Sequence, residues 1–155
     1  MSRKQKENER YLARVQASMD AERDAIRARA VADAPLIKIK LSADDPASRL
    51  RAVAAAAPQS RFIVDPNEGW TFDILDRLKS LLADLPIALV EQPLPAGEDQ
   101  ALEGWDPPFT VCADESVHVG GDLAALRGRY GAVNLKLDKT GGLTEAAAML
   151  KAARA

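Results

Sequence analysis

From residue 35 onward, five short runs rich in apolar and β-branched residues alternate with Ala- and Leu-rich runs of helical period. LIKIKL (36–41), RFIVD (61–65), IALVEQ (87–92), FTVCAD (109–114) and AVNLKL (132–137) have the length and composition of strands. Residues 48–57, closed by Pro58, read as a helix. So do residues 72–84, where Ile74, Leu75, Leu78, Leu81 and Leu82 recur at helical spacing. A short helix at 123–127 and another from Leu143 onward complete the rhythm, with Gly141 and Gly142 before the last. Strands joined by helical crossovers run parallel and are covered by helices, so the expected class is α/β with about five parallel strands.

Residues 1–34 differ in kind. Leu12, Val15, Met19 and Ile26 fall on one helical stripe amid Arg, Lys, Glu and Ala. The expectation is an N-terminal helical segment that is solvated except for this one packing stripe. The chain then divides into that segment, 1–34, and a sheet domain, 35–155.

Composition excludes several classes. The 21 basic residues are balanced by 23 acidic ones without aromatic interleaving, which gives no nucleic-acid surface. A single cysteine, Cys112, rules out an internal disulfide framework and fits a reducing compartment. The sequence contains no apolar run of membrane-spanning length, and its first residues lack the apolar stretch of a secretory signal. The expected location is cytoplasmic, with no membrane partner.

The chemistry-bearing residues share one position. Lys40, Asp65, Glu91, Asp114 and Lys136 each lie at or near the carboxyl end of a successive strand, where parallel α/β folds place their active sites. Carboxylates directed into one cavity repel unless a cation lies among them, and hard oxygen donors from three strands suit Mg²⁺. The plainer alternative makes each a helix cap or loop carboxylate. Lys38 and Lys40, two apart, point to one side of their strand, and Lys136 shares a face with Asn134. Cationic neighbours and a divalent ion would tune such an amine down to about 7–8, where it can act as a base. The alternative for Lys38 and Lys40 is an edge strand with one solvated face. Lys139 and Asp138 fall outside the strand register and read as loop residues. His118, the sole histidine, reads as a surface or supporting group. Cys112 reads as core, Trp70 and Trp105 as loop packing. Gly120-Gly121 and Gly141-Gly142 are too isolated for phosphate loops, although the second pair could bring a helix N-terminus near an anion.

In order, KIK, VDPNEGW, VEQPLP, CADES and NLKLDKTGG resemble the muconate-lactonizing subgroup of the enolase superfamily. NLKLDKTGG and DESVH, with the 22-residue step from Asp114 to Lys136, are most similar to L-Ala-D/L-Glu dipeptide epimerases. The resemblance implies a partial (β/α) TIM-type barrel with Asp65, Glu91 and Asp114 as Mg²⁺ ligands. It makes Lys40 and Lys136 the two acid/base catalysts and Lys38 an electrostatic aid. One lysine would remove the α-proton of a carboxylate substrate. The cation and Lys38 would stabilise the enediolate, and the opposite lysine would reprotonate the other face.

Departures from the family pattern set further expectations. Only some 34 residues precede the KxK strand where the family has a capping domain, and the final barrel strands with their Asp-x-Asp segment are missing. A truncated chain with open sheet edges, prone to self-association, is expected. The resemblance thus implies an isomerase acting on a dipeptide. Alternatives are N-succinylamino acid racemisation, o-succinylbenzoate synthesis, muconate cycloisomerisation, or an inactive fragment that only binds metal.

Overall fold

The computed structural model describes residues 3–154; Met1, Ser2 and Ala155, assigned above to the terminal segments, lie outside the described residues. The elements are α1 (Arg3–Arg29), β1 (Leu36–Lys40), α2 (Pro46–Ala56), β2 (Arg61–Asp65), α3 (Phe72–Asp84) and β3 (Ile87–Glu91). They continue with a 3-10 turn (Gln100–Leu102), β4 (Val111–Ala113), α4 (Asp122–Leu126), β5 (Ala132–Val133) and α5 (Leu143–Ala153). The strands form one sheet in the order β1-β2-β3-β4-β5, every neighbouring pair parallel. This is the α/β arrangement expected from the alternation.

Capping chemistry fixes where the crossover helices begin. Asp45 caps α2 by accepting from Ser48 N, and Pro46, lacking an N–H, opens its first turn. Thr71 caps α3 by accepting from Ile74 N. Helix α3 then lays Leu75, Leu78 and Leu82 against the sheet. They join Phe62 and Val64 of β2, Val90 of β3, Leu50 and Val53 of α2 and the fully buried Trp70 in one core. Burying a side chain of this size contributes about 1.5–3 kcal/mol. A second cluster of Ala113, Val117, Leu126 and Met149 seats α4 and α5 over the β4–β5 end.

Strand alternation assigns the opposite face. Phe62 and Val64 face the helices, so Ile63 and Asp65, with their register partners Lys38 and Lys40, face away. Hydrophobic packing under the helices and charge on the free face are therefore two consequences of one period-2 pattern.

Two expectations need correction. The Leu12, Val15, Met19 and Ile26 stripe does not pack: all four are exposed. Helix α1 is held instead near its C-terminal end. There Ala25 and Ala28 are buried, and Asp24 accepts from Arg49 Nε of α2 at 2.7 Å. Small residues let the two helices approach, and a buried pair that leaves neither charge alone locks the contact. The fifth strand is also shorter than 132–137. Asn134 N still reaches Ala113 O at 2.7 Å, but the partner strand ends there, and Lys136 O takes the amides of Lys139 and Thr140 in a turn. Leu135 to Leu137 thus lack a ladder partner and leave the sheet.

Candidate active site

Asp65, Glu91 and Asp114 stand at the carboxyl ends of β2, β3 and β4, and each is almost wholly buried. Carboxylates so buried need compensating charge. Lysines supply it from both flanks. From β1, Lys38 Nζ lies 2.7 Å from Glu91 Oε2 and 2.9 Å from Asp65 Oδ2, and Lys40 Nζ lies 3.5 Å from Asp65 Oδ2. From beyond β5, Lys136 Nζ pairs with Asp114 Oδ2, and Lys139 Nζ reaches Asp114 Oδ1 at 2.6 Å. Asn134 Nδ2 donates to Glu91 Oε1 at 2.8 Å. The strand order places Lys40 and Lys136 on opposite flanks of the carboxylate row.

The loops after the strands are tightly wound. Asn67 and Glu68, just past Asp65, and Gln92, just past Glu91, all have positive φ (49°, 62° and 36°). For non-glycine residues such backbone is strained and persists where surrounding bonds impose it. Asn67 N donates to Asp65 Oδ1 at 3.0 Å, and the Asn67 side chain receives Lys40 Nζ while donating to Glu115 Oε1 at 3.3 Å. A Cβ at Gly69 would stand 2.8 Å from Pro66 O, so the tight turn of PNEGW requires glycine there.

Electrostatics follow from these contacts. Burial pulls the Lys38 ammonium down, but Glu91 and Asp65 outweigh it and hold it above the ordinary lysine value. The Asp114 carboxylate likewise raises Lys136, against a smaller opposing effect of burial. Both amines are raised because each faces carboxylates directly, whereas the lowering expected from the sequence assumes a divalent ion beside them. Burial pushes the Asp114 carboxyl up, yet hydrogen bonds from Lys136 and Lys139 bring it below the usual carboxylate range. The buried Cys112 thiol is pushed up to about 12, chiefly by desolvation and then by Glu91 and Asp114, which leaves it an inert core group.

The other residues singled out in the sequence lie elsewhere. Trp70 is core and donates to Ser42 O, and Trp105 stacks edge-on with Phe72 and Phe109. His118 sits in an exposed loop where its backbone amide donates to Asp122. Sequence reasoning set Lys139 aside as a loop residue and passed over Asn67, Gln92 and Glu115. Lys139 does sit in a turn, but its side chain returns to Asp114. Strand period says nothing about turns; the signal available was a cluster of polar residues immediately after each strand.

Sequential parallel strands with their chemistry on the carboxyl tips define a (β/α)-barrel type of catalytic architecture. The chain belongs to the Enolase C-terminal domain-like family, whose sequence pattern matches residues 15–155. It is 51% identical over 124 residues to the L-Ala-D/L-Glu epimerase of Escherichia coli, a match covering 80% of this chain and 39% of that protein. It is also 51% identical over 120 residues to an N-acetyl-D-glutamate racemase from a Pseudoalteromonas species, over 77% of this chain and 38% of that protein. Both relatives are isomerases, and the chain spans less than half the length of either. Among solved structures, an Agrobacterium tumefaciens enolase family member with homology to dipeptide epimerases, holding sodium and L-Ala-L-Glu, matches at a TM-score of 0.80. It is 53% identical and covers 84% of this chain and 40% of that one. A Cytophaga hutchinsonii dipeptide epimerase complexed with Mg and D-Ala-L-Val matches at 0.77 and 26% identity, over 84% and 38%. Among the described residues, no helix is long and apolar enough to cross a membrane.

Proposed function

We propose that this chain carries the metal-and-lysine centre of an isomerase that inverts the α-carbon of a dipeptide of the L-Ala-D/L-Glu type. The observation that carries the reading is the placement of Lys40 and Lys136 on opposite flanks of three buried carboxylates. The site-bearing unit is residues 35–155, with α1 laid against it.

Asp65, Glu91 and Asp114 are the proposed ligands of Mg²⁺. Their donor chemistry fits: all three present hard carboxylate oxygens, and each is almost wholly buried with cationic partners already drawn to it. Among the described residues no three Asp, Glu, His or Cys side chains form a ready-made cage, and the carboxylates are paired with lysines instead. A Mg²⁺ ion held by Asp65, Glu91 and Asp114 would supply positive charge toward the substrate carboxylate.

The chain's own residues do the rest. One lysine, as the neutral amine, takes the α-proton, and the C–H electron pair passes into the substrate carboxylate. The Lys38 ammonium stands beside the developing charge, where preorganised positive charge lowers the barrier most. The opposite lysine, as the ammonium, delivers a proton to the other face. The configuration is inverted with no net gain or loss of protons or electrons.

The test is deuterium incorporation at the α-carbon of the Glu residue of L-Ala-L-Glu in D₂O, followed by NMR with and without Mg²⁺. Mg²⁺-dependent incorporation that disappears in the Lys40→Ala, Lys136→Ala double variant is expected. Incorporation that survives in that variant refutes the assignment. Equal identity to an N-acetyl-D-glutamate racemase supports a second reading, the same proton transfer on an N-acylated glutamate. Parallel exchange on N-acetyl-glutamate decides between them.

A further inference from the structure

Gln92, in the VEQPLP run, is fully buried yet holds a left-handed backbone, and the catalytic scheme gives it no task. Its bonds reach every carboxylate-bearing strand end. Its carbonyl accepts from Glu68 N at 2.9 Å, in the loop that follows Asp65, and its amide donates to Cys112 O of β4 at 2.8 Å. Its side-chain Oε1 accepts from Asp114 N at 2.9 Å and from Ser116 N at 3.0 Å. Glu91 precedes it directly. We infer that Gln92 is a positioning residue that sets the spacing of Asp65, Glu91 and Asp114, with Asp99 as the anchor fixing its amide. The inference rests on the proposed role of those three carboxylates.

The orientation of the amide follows from chemistry. Backbone N–H groups can only donate, so Oε1 must face Asp114 and Ser116. On the other side, Ser116 Oγ and Tyr130 OH both donate to the buried Asp99 Oδ2 at 2.7 Å, while Arg129 NH1 holds Asp99 Oδ1 at 3.1 Å. With their protons committed to Asp99, the two hydroxyls can only accept. Gln92 Nε2 meets them at 2.9 and 3.1 Å, and Leu94 O at 2.8 Å. Burial raises the Tyr130 phenol well above its ordinary value, which keeps that proton in place. A satisfied buried network of this kind specifies one geometry.

The test uses Gln92→Leu and the isosteric Gln92→Glu in this chain, read by amide hydrogen exchange and by calorimetric titration with MgCl₂. Gln92→Leu is expected to speed exchange at Asp114 and Ser116 by about tenfold. Exchange at Val90, whose amide is held by Thr110 O, stays unchanged. Mg²⁺ affinity falls by about 10–100-fold. Gln92→Glu keeps an accepting oxygen for the two amides but loses the donor toward the Asp99 cluster. It therefore retains amide protection while Mg²⁺ affinity still falls, and it serves where Gln92→Leu does not fold. Leu82→Ala, a core change away from the site, lowers the melting temperature without altering Mg²⁺ affinity in the folded protein. Unchanged exchange in Gln92→Leu, or Mg²⁺ affinity in either variant equal to that of the unaltered chain, overturns the inference. If the unaltered chain binds no Mg²⁺, the metal reading fails, and amide exchange alone decides the role of Gln92.

Discussion

Lys38 and Lys40 reach the carboxylates from a regular strand, whereas Lys136 and Lys139 reach Asp114 from a turn that follows only two residues of strand. The strand flank spreads its charge: Lys38 bridges two carboxylates on two strands, and Lys40 touches Asp65 more loosely. The turn flank concentrates its charge, with two ammonium groups on one carboxylate. A strand delivers side chains to one face at intervals of two, so Lys38 reaches both Glu91 and Asp65 while Lys40, one step further on, reaches only Asp65 of the three carboxylates. A turn gathers residues three apart onto one point. Each flank therefore offers one lysine proposed as acid or base, Lys40 or Lys136, and a second ammonium held against the carboxylates, Lys38 or Lys139, of which Lys38 is also proposed to stabilise the developing charge.

The sharpest way to break this symmetry is to remove the proposed catalysts one at a time. Lys40→Ala and Lys136→Ala are each expected to lower epimerisation by about 10²–10⁴-fold, the usual contribution of a positioned acid or base. Because the two stand on opposite flanks, each single variant should retain deuterium exchange on one stereoisomer of the Glu residue and lose it on the other. Chiral analysis of the exchanged dipeptide measures this. Loss on the same isomer in both variants would mean that the two lysines do not serve opposite faces.

The holding lysines should separate in stability instead. Lys38→Met leaves Glu91 with the Asn134 amide and no ammonium, and Asp65 with the Asn67 N–H and the looser Lys40, so unfolding free energy should drop by about 1–3 kcal/mol. Lys139→Met leaves Asp114 with Lys136, and its cost should stay under about 1 kcal/mol. Urea unfolding of the two variants checks the difference, and equal costs would erase the contrast between a bridging and a redundant ammonium.

A smaller effect appears in the acid limb. The Asp114 carboxyl is held low in the folded state, so it binds a proton more readily when unfolded. Its stabilisation is complete above the ordinary aspartate value of about 3.9 and is lost as pH falls through the lower folded value. Between about pH 6 and pH 3 the melting temperature of the unaltered chain should therefore fall further than that of Asp114→Asn. Parallel slopes would show that the turn flank stores no such stabilisation.

The same contrast explains what the sequence disclosed. Asp65, Glu91 and Asp114 were legible because a strand-end position is a property of local pattern. Lys38 and Lys40 were legible because two residues of strand return a side chain to the same face. Helix α3 was legible to both ends, since apolar spacing and the Thr71 cap agree. Lys139 was not legible, because its approach to Asp114 depends on how the turn after β5 folds back. Nor was the packing face of α1. Its larger apolar residues marked one stripe, but the contact with α2 is made by Ala25, Ala28 and the Asp24–Arg49 pair, whose partner lies 25 residues away. Gln92 escaped for a related reason: its importance lies in bonds to residues as distant as Tyr130, which no local period encodes.

The last contrast lies within the strand flank itself and concerns the smallest change. Lys40 is well exposed and stands 3.5 Å from Asp65, while Lys38 stands closer and touches two buried carboxylates. An exposed amine gives up little hydration in either state, and its loose pairing is weakened by solvent. Lys40→Met should therefore change unfolding free energy by less than about 0.5 kcal/mol while abolishing exchange on one stereoisomer. Urea unfolding and the D₂O assay on the same preparation measure both. A residue that matters little to the fold and greatly to the reaction has been placed for chemistry. If Lys40→Met instead destabilises the chain as much as Lys38→Met, both lysines belong to the scaffold, and the base on that flank must be sought elsewhere.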